Sequence, residues 1–175
     1  AFGSIVASGP NTANPHAVPS DRVIEKGDFV LMDYGAGYCD YRSDMTRTVV
    51  MGGPTQEQLD LYALVRRTHE ECVAAIHPGV EGNDIFKLSK KIIGDAGYGD
   101  YYNHGLGHGV GIDIHELPNF NRSKNTIEIG SVVTMEPGVY LPGVGGVRLE
   151  DYGVVTENGY EPFTKTPHDL HVIDC

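Results

Sequence analysis

The sequence predicts an α+β fold built as a single domain over residues 1–175. Two observations carry that prediction. Strand and turn signals fill both ends of the chain, and a stretch with helical period lies between them. The two strand-rich parts also repeat one pattern.

The elements follow in chain order. "GPNTANPHAVPSD" is rich in Pro, Asn and Ser and predicts a loop. "DFVLMDYGAGY" is an apolar run entering a Gly-rich turn, and "SDMTRTVVM" reads as a returning strand. At Thr55 the period changes. "TQEQ" places Gln58 three residues after Thr55, the signature of a capping box. Leu61, Val65, Cys72 and Ile76 then recur at helical spacing, with His69 in the turn between, until "HPG" stops the helix. Ile85, Leu88 and Ile92 mark a second helix that ends at Gly94 or Gly97. From Tyr98 onward the chain returns to strands and glycine turns.

The repeat aligns "IEKGDFVLMDYG" (24–35) with "IEIGSVVTMEPG" (127–138). Ile24, Gly27, Val30, Met32, Asp33 and Gly35 fall on Ile127, Gly130, Val133, Met135, Glu136 and Gly138. Upstream, His16 and Pro19 of "HAVP" fall on His115 and Pro118 of "HELP". Downstream, Asp44 falls on Glu150. Small changes of offset between these blocks are what loop insertions produce. Two copies this far apart indicate duplication about a pseudo-two-fold axis, not a solenoid.

Composition narrows the function. Lys and Arg total 13 against 24 acids, a net charge of −11, which excludes a phosphate backbone as the natural partner. No apolar run approaches the ~18 residues of a membrane span, and no signal peptide is visible. Three widely spaced cysteines, Cys39, Cys72 and Cys175, predict reduced thiols and a cytoplasmic protein. The first residue is Ala rather than Met, so a processed or truncated start is expected.

Taken alone, Asp33 reads as a turn former, Asp44 as a surface or capping residue, Glu136 as a turn acid and Glu150 as half of a solvated pair with Asp151. The repeat changes this. Each half ends a buried strand with one acid and carries a second acid at the next strand, and a two-fold axis brings all four together. Four adjacent carboxylates repel one another unless they are protonated or bound to cations. Two divalent ions would balance them. His108, in a Gly-rich segment, is the natural nitrogen ligand. Carboxylates with one imidazole suit Mn²⁺, Fe²⁺, Co²⁺ or Zn²⁺, in the arrangement of a two-metal hydrolase. His16, His104 and His115 read as substrate-facing donors for an oxyanion. His69, His77, His168 and His171 have no such context. "GLGHGVG" is not a nucleotide loop, because G-x-G-x-x-G would need glycine where Val110 or Ile112 stands.

"LMDYGAGYCDYRSDMTRT", "HGLGHGVGIDIHELP", "TMEPGVYLPG" and "GGVRLEDYGVVTENG" together resemble the metallopeptidases of the pita-bread fold, nearest to the Xaa-Pro aminopeptidase and Xaa-Pro dipeptidase (prolidase) branch. The resemblance runs from about Ile5 to Leu170. It implies a pita-bread domain with two divalent ions, Mn²⁺ first among them, held by Asp33, Asp44, His108, Glu136 and Glu150. Glu136 is implied as proton shuttle. His16, His104 and His115 are implied as substrate contacts, with Arg148 nearby. The implied reaction is hydrolysis of the Xaa-Pro bond at the N-terminus of peptides or in dipeptides. Alternatives are a methionine aminopeptidase-like hydrolase and a non-catalytic binding module of the same fold.

Members of this family carry helices before the first strand segment, and often a separate N-terminal domain. Here Ala1 stands almost at the first strand. The expectation is therefore that strands holding Phe29, Val30 and Leu31 lack part of their cover. The chain would then self-associate, associate with its own missing N-terminal part, or carry a distorted, partly metal-free site.

Overall fold

The structure, a computed structural model, describes residues 1–174. Strand β1 (Ile5–Ser8) leads through a 3-10 turn (Gly9–Ala13) and a loop to β2 (Phe29–Tyr34). A small hairpin, β3 (Gly37–Tyr38) with β4 (Tyr41–Arg42), separates β2 from β5 (Met45–Met51). Helices α1 (Gln56–Ala74) and α2 (Gly82–Asp95) follow. The second half holds β6 (Gly107–Gly109), β7 (Glu116–Phe120), β8 (Val132–Met135), β9 (Gly138–Leu141), β10 (Gly145–Arg148), β11 (Asp151–Thr156) and β12 (Gly159–Pro162). Strand β13 (Val172–Ile173) closes the described chain and pairs back, in parallel, onto β5 of the first half.

One sheet runs β1-β2-β5-β13 and the other β12-β11-β8-β6-β7, with β9 and β10 as a separate pair. The repeat is visible in the topology. In each half a buried strand, a hairpin and an antiparallel return strand follow one another: β2, β3–β4, β5 and then β8, β9–β10, β11. Besides the β5–β13 pairing, an isolated bridge, Thr46 to Glu150, joins the two halves beside the cavity.

Thr55 and Gln58 form the capping box that opens α1, each side chain bonded to the other's backbone. Gln58 also donates to the Gly27 carbonyl at 2.7 Å, which ties the helix start to the loop before β2. Helix α2 runs through Gly94 and stops at Gly97, which takes φ +88° while Tyr98 N–H reaches the Ile93 carbonyl at 3.0 Å. That left-handed turn closes the last carbonyls of the helix. Leu61, Val65, Cys72, Ile76 and Ile85 join one core with Val133, Met135 and Val147. Leu88 is half-buried against it.

The first-half strands do not lack cover, contrary to expectation. Phe29, Val30 and Leu31 are 3%, 5% and 0% exposed. Phe29 belongs to the same core as α1 and β9–β10. The halves bury each other's strands, so cover comes from the repeat mate and the shared helices. Exposed apolar residues of this half include Val6 on β1, Val18, Val23 and Ile24 in the loop before β2, and Tyr34 at the end of β2.

Candidate active site

All nine residues singled out in the sequence line one cavity of about 340 Å³. Asp33 comes from the end of β2, and Asp44 stands just before β5. His108 is the middle residue of β6. Glu136 follows β8, and Glu150 lies between β10 and β11. The acids sit where antiparallel strands end or begin, so their backbones are fixed while their side chains turn inward.

His108 Nε2 lies 3.3 Å from Glu136 Oε1 and 3.7 Å from Asp44 Oδ2. Asp44, His108 and Glu150 each offer one ligand atom, all within 4.8 Å of one another. His108 Nδ1 donates to its neighbour's carbonyl, Gly109 O, at 3.0 Å. A carbonyl can only accept, so Nδ1 carries the proton and Nε2 presents a lone pair to the carboxylates. The backbone N–H of His108 donates to Thr134 Oγ1 at 3.0 Å. Gly107 makes this approach possible. A Cβ there would lie 2.2 Å from the Thr134 carbonyl oxygen.

Arg148 is the cation that counting carboxylates missed. Buried among them, it donates to Asp33 Oδ2 at 2.7 Å, Thr46 Oγ1 at 3.0 Å, Tyr140 Oη at 2.9 Å and the Pro15 carbonyl at 3.2 Å. Thr46 in turn donates to Glu150 Oε2 at 2.6 Å. Thr46, Thr134 and Tyr140 were not singled out in the sequence. Thr46 lies two residues after Asp44 and Thr134 two residues before Glu136, to which it donates, and both are usable signals; Tyr140 reaches His104 only through tertiary packing.

The carboxylates are far from satisfied. Asp33 Oδ1, Asp44 Oδ1 and Glu150 Oε1 are buried without a hydrogen-bond partner among the described residues. Burial, then the charges of Asp33 and Glu136, pushes Asp44 up to about 8. Burial lifts Glu136 to about 7. Glu150 is raised by burial and by the charges of Glu136, Asp44 and Asp33. An unprotonated imidazole nitrogen and three orphaned carboxylate oxygens facing one space are the donor set of a divalent-ion site.

The three remaining histidines differ. His115 and His16 are exposed at the cavity lining, and the rings of His108 and His115 lie 4.3 Å apart, edge to face. His104 is turned inward. Its Nδ1 donates to Gly105 O at 2.6 Å and its Nε2 accepts from Tyr140 Oη at 2.9 Å. Burial and the Arg148 charge push it down to about 4, so it is neutral with one proton. In this arrangement both ring nitrogens of His104 are engaged within the protein, by Gly105 and Tyr140.

The sequence pattern of metallopeptidase family M24 matches residues 1–157. The chain belongs to this family. It is 46% identical over 171 residues to the Xaa-Pro dipeptidase of Pyrococcus furiosus, which covers 97% of this chain and 49% of that protein. The prolidase structure from Pyrococcus horikoshii superposes with a TM-score of 0.94 at 43% identity, over 97% of this chain and 49% of that one. The X-Pro aminopeptidase structure from Thermotoga maritima gives 0.95 at 36% identity, over 98% and 49%. The architecture is thus the α+β pita-bread fold, and the chain spans about half the length of the curated relatives it matches. M24 enzymes are metallopeptidases, so divalent ions belong to their chemistry. Among the described residues, no helix is long and apolar enough to cross a membrane.

Proposed function

We propose that this chain is the catalytic part of a dinuclear metal-dependent exopeptidase that hydrolyses the Xaa-Pro bond, at the N-terminus of peptides or in dipeptides. The observation that carries the proposal is the trio of orphaned buried oxygens, Asp33 Oδ1, Asp44 Oδ1 and Glu150 Oε1, beside the unprotonated Nε2 of His108. Asp33, Asp44, His108, Glu136 and Glu150 would hold the two ions, with Mn²⁺ the first choice and Co²⁺, Zn²⁺ and Fe²⁺ behind it. When bound, such ions activate water and polarise a carbonyl. The preference for proline rests on the likeness to relatives such as the Xaa-Pro dipeptidases of Pyrococcus furiosus and Pyrococcus horikoshii.

The chain's own residues divide the remaining work. Glu136, lifted toward neutrality, takes the proton released as water attacks and passes it to the leaving proline nitrogen. His115 and His16, exposed at the cavity, donate to the developing oxyanion. Arg148 holds Asp33 and Tyr140 in place, and Tyr140 fixes the ring of His104 as a rigid wall. A cytoplasmic setting fits the free thiols of Cys39 and Cys72.

Turnover of Xaa-Pro and Met-Xaa peptides by the Mn²⁺-loaded chain tests this reading. Release of the residue before proline, abolished by chelation and restored by Mn²⁺, is the expected result. Cleavage of Met-Xaa peptides alone would replace it with a methionine aminopeptidase.

A further inference from the structure

His69, Asp151 and His168 form a second cluster, outside the residues that line the cavity. They come from the buried face of α1, the first residue of β11, and the segment between β12 and β13. His168 Nε2 lies 2.6 Å from Asp151 Oδ2, and His69 Nε2 lies 3.5 Å from the same oxygen. The three offer ligand atoms within 4.8 Å of one another.

The His69 side chain is 3% exposed, and neither of its ring nitrogens has a hydrogen-bond partner among the described residues. A buried imidazole left in that state is destabilising, because its desolvation is uncompensated. Burial also pushes it down to about 4, which keeps the ring neutral and its lone pair available. Arg47 orients the carboxylate without blocking it. It donates to Asp151 Oδ1 at 2.6 Å and to the Thr166 carbonyl at 2.8 Å, and leaves Oδ2 to the two rings.

We propose that His69, Asp151 and His168 bind a borderline divalent ion, Zn²⁺ before others, at a site separate from the peptidase cavity. Two imidazoles and one carboxylate are an established donor set for zinc with an open fourth position. Metal–ligand distances of about 2.0–2.2 Å put tetrahedral ligand atoms roughly 3.3 Å apart. The 3.5 Å edge already fits. The 2.6 Å edge has to open by less than an ångström, and His168, 26% exposed on a connecting segment, is the ligand able to move. The guanidinium of Arg47 opposes the incoming charge, so binding is weaker than at a closed structural site. Occupied, the site pins α1 and the segment before β13 to Asp151, the residue directly after Glu150.

The test is a zinc count on the whole chain, with Zn²⁺ as the only metal. Metal-free protein is equilibrated with micromolar Zn²⁺, and bound metal is measured per chain for the unaltered protein, His168→Ala and His69→Gln. Each substitution is expected to remove one Zn²⁺. In an Asp44→Asn, His108→Ala background, which disables the cavity, one Zn²⁺ is expected to remain, and adding His168→Ala should remove it. Folding is monitored by circular dichroism. If His69→Gln unfolds, the part-exposed His168→Ala decides alone. Equal zinc in the unaltered and His168→Ala chains overturns the proposal, whatever metal the peptidase cavity holds.

Discussion

Glu136 and His115 face the same cavity but should fail differently when removed. In the proposed mechanism Glu136 is both ligand and proton carrier, so Glu136→Ala should abolish turnover and lower the metal content. His115 touches no carboxylate within hydrogen-bond reach and sits exposed at the lining. His115→Ala should keep the metals and lose about 10²–10³-fold in kcat, the value of one oxyanion donor. Metal analysis beside kinetics separates the two. A His115→Ala chain that comes out metal-free would make His115 a ligand instead. His104→Ala acts by another route, since its ring is engaged by Gly105 and Tyr140. The gathering of these residues at one cavity was partly legible beforehand. The acids declared themselves by recurring in two copies, and His16 and His115 did likewise. The inward turn of His104 was not legible, because Tyr140 lies 36 positions away and nothing local announces their contact.

At the scale of elements, β6 has the least freedom. It lies between β8 and β7, and its glycines let three strands close around His108. Gly107→Ala would place a methyl 2.2 Å from the Thr134 carbonyl oxygen, so β6 must move away from β8. The expected loss is about 1–3 kcal/mol of stability, as for other overpacked sites, with weakened metal binding as the His108 N–H to Thr134 bond opens. Gly53→Ala is the control: open space surrounds that position, and its melt should be unchanged. Denaturant unfolding of both variants measures the contrast. Elements were legible where a local rule governs them, such as the Thr55 capping box, the "HPG" stop and the periodic face of α1. The end of α2 was half-legible. Gly94 and Gly97 are equivalent as sequence signals, and only the backbone, with φ +88° at Gly97, selects between them. The cover of Phe29 was illegible, since it depends on β9 and β10 folding back from more than a hundred residues away.

At the scale of the whole molecule, the first question is association. Val6 on β1 is 40% exposed, and Val23 and Ile24 in the loop before β2 are 77% and 46% exposed, apolar surface of the kind that association covers. Sedimentation should therefore show self-association, and a monomer at all concentrations would remove that expectation. The second question is how the buried carboxylates set stability with pH. In the metal-free chain Asp44 stands at about 8 and Glu136 at about 7. Their unfolded values are about 3.9 and 4.3. A group whose folded pKa is raised holds its proton more tightly in the native state. Its contribution is complete below the unfolded pKa and is lost as pH rises through the folded one. For these two groups the loss runs from about pH 4 to about pH 8. Metal-free protein should thus melt at a lower temperature at pH 8.5 than at pH 5.5, both values bracketing about the middle of that window. Bound divalent ions reverse the slope, because they need the same carboxyls deprotonated and displace their protons. Saturating Mn²⁺ should raise the melting temperature most at the alkaline end, and calorimetric titration near neutrality should register proton release. A metal-free chain whose melting temperature rises steadily across that window would mean that Asp44 and Glu136 are not buried against one another. The shared cavity would then not be the resting state of the protein.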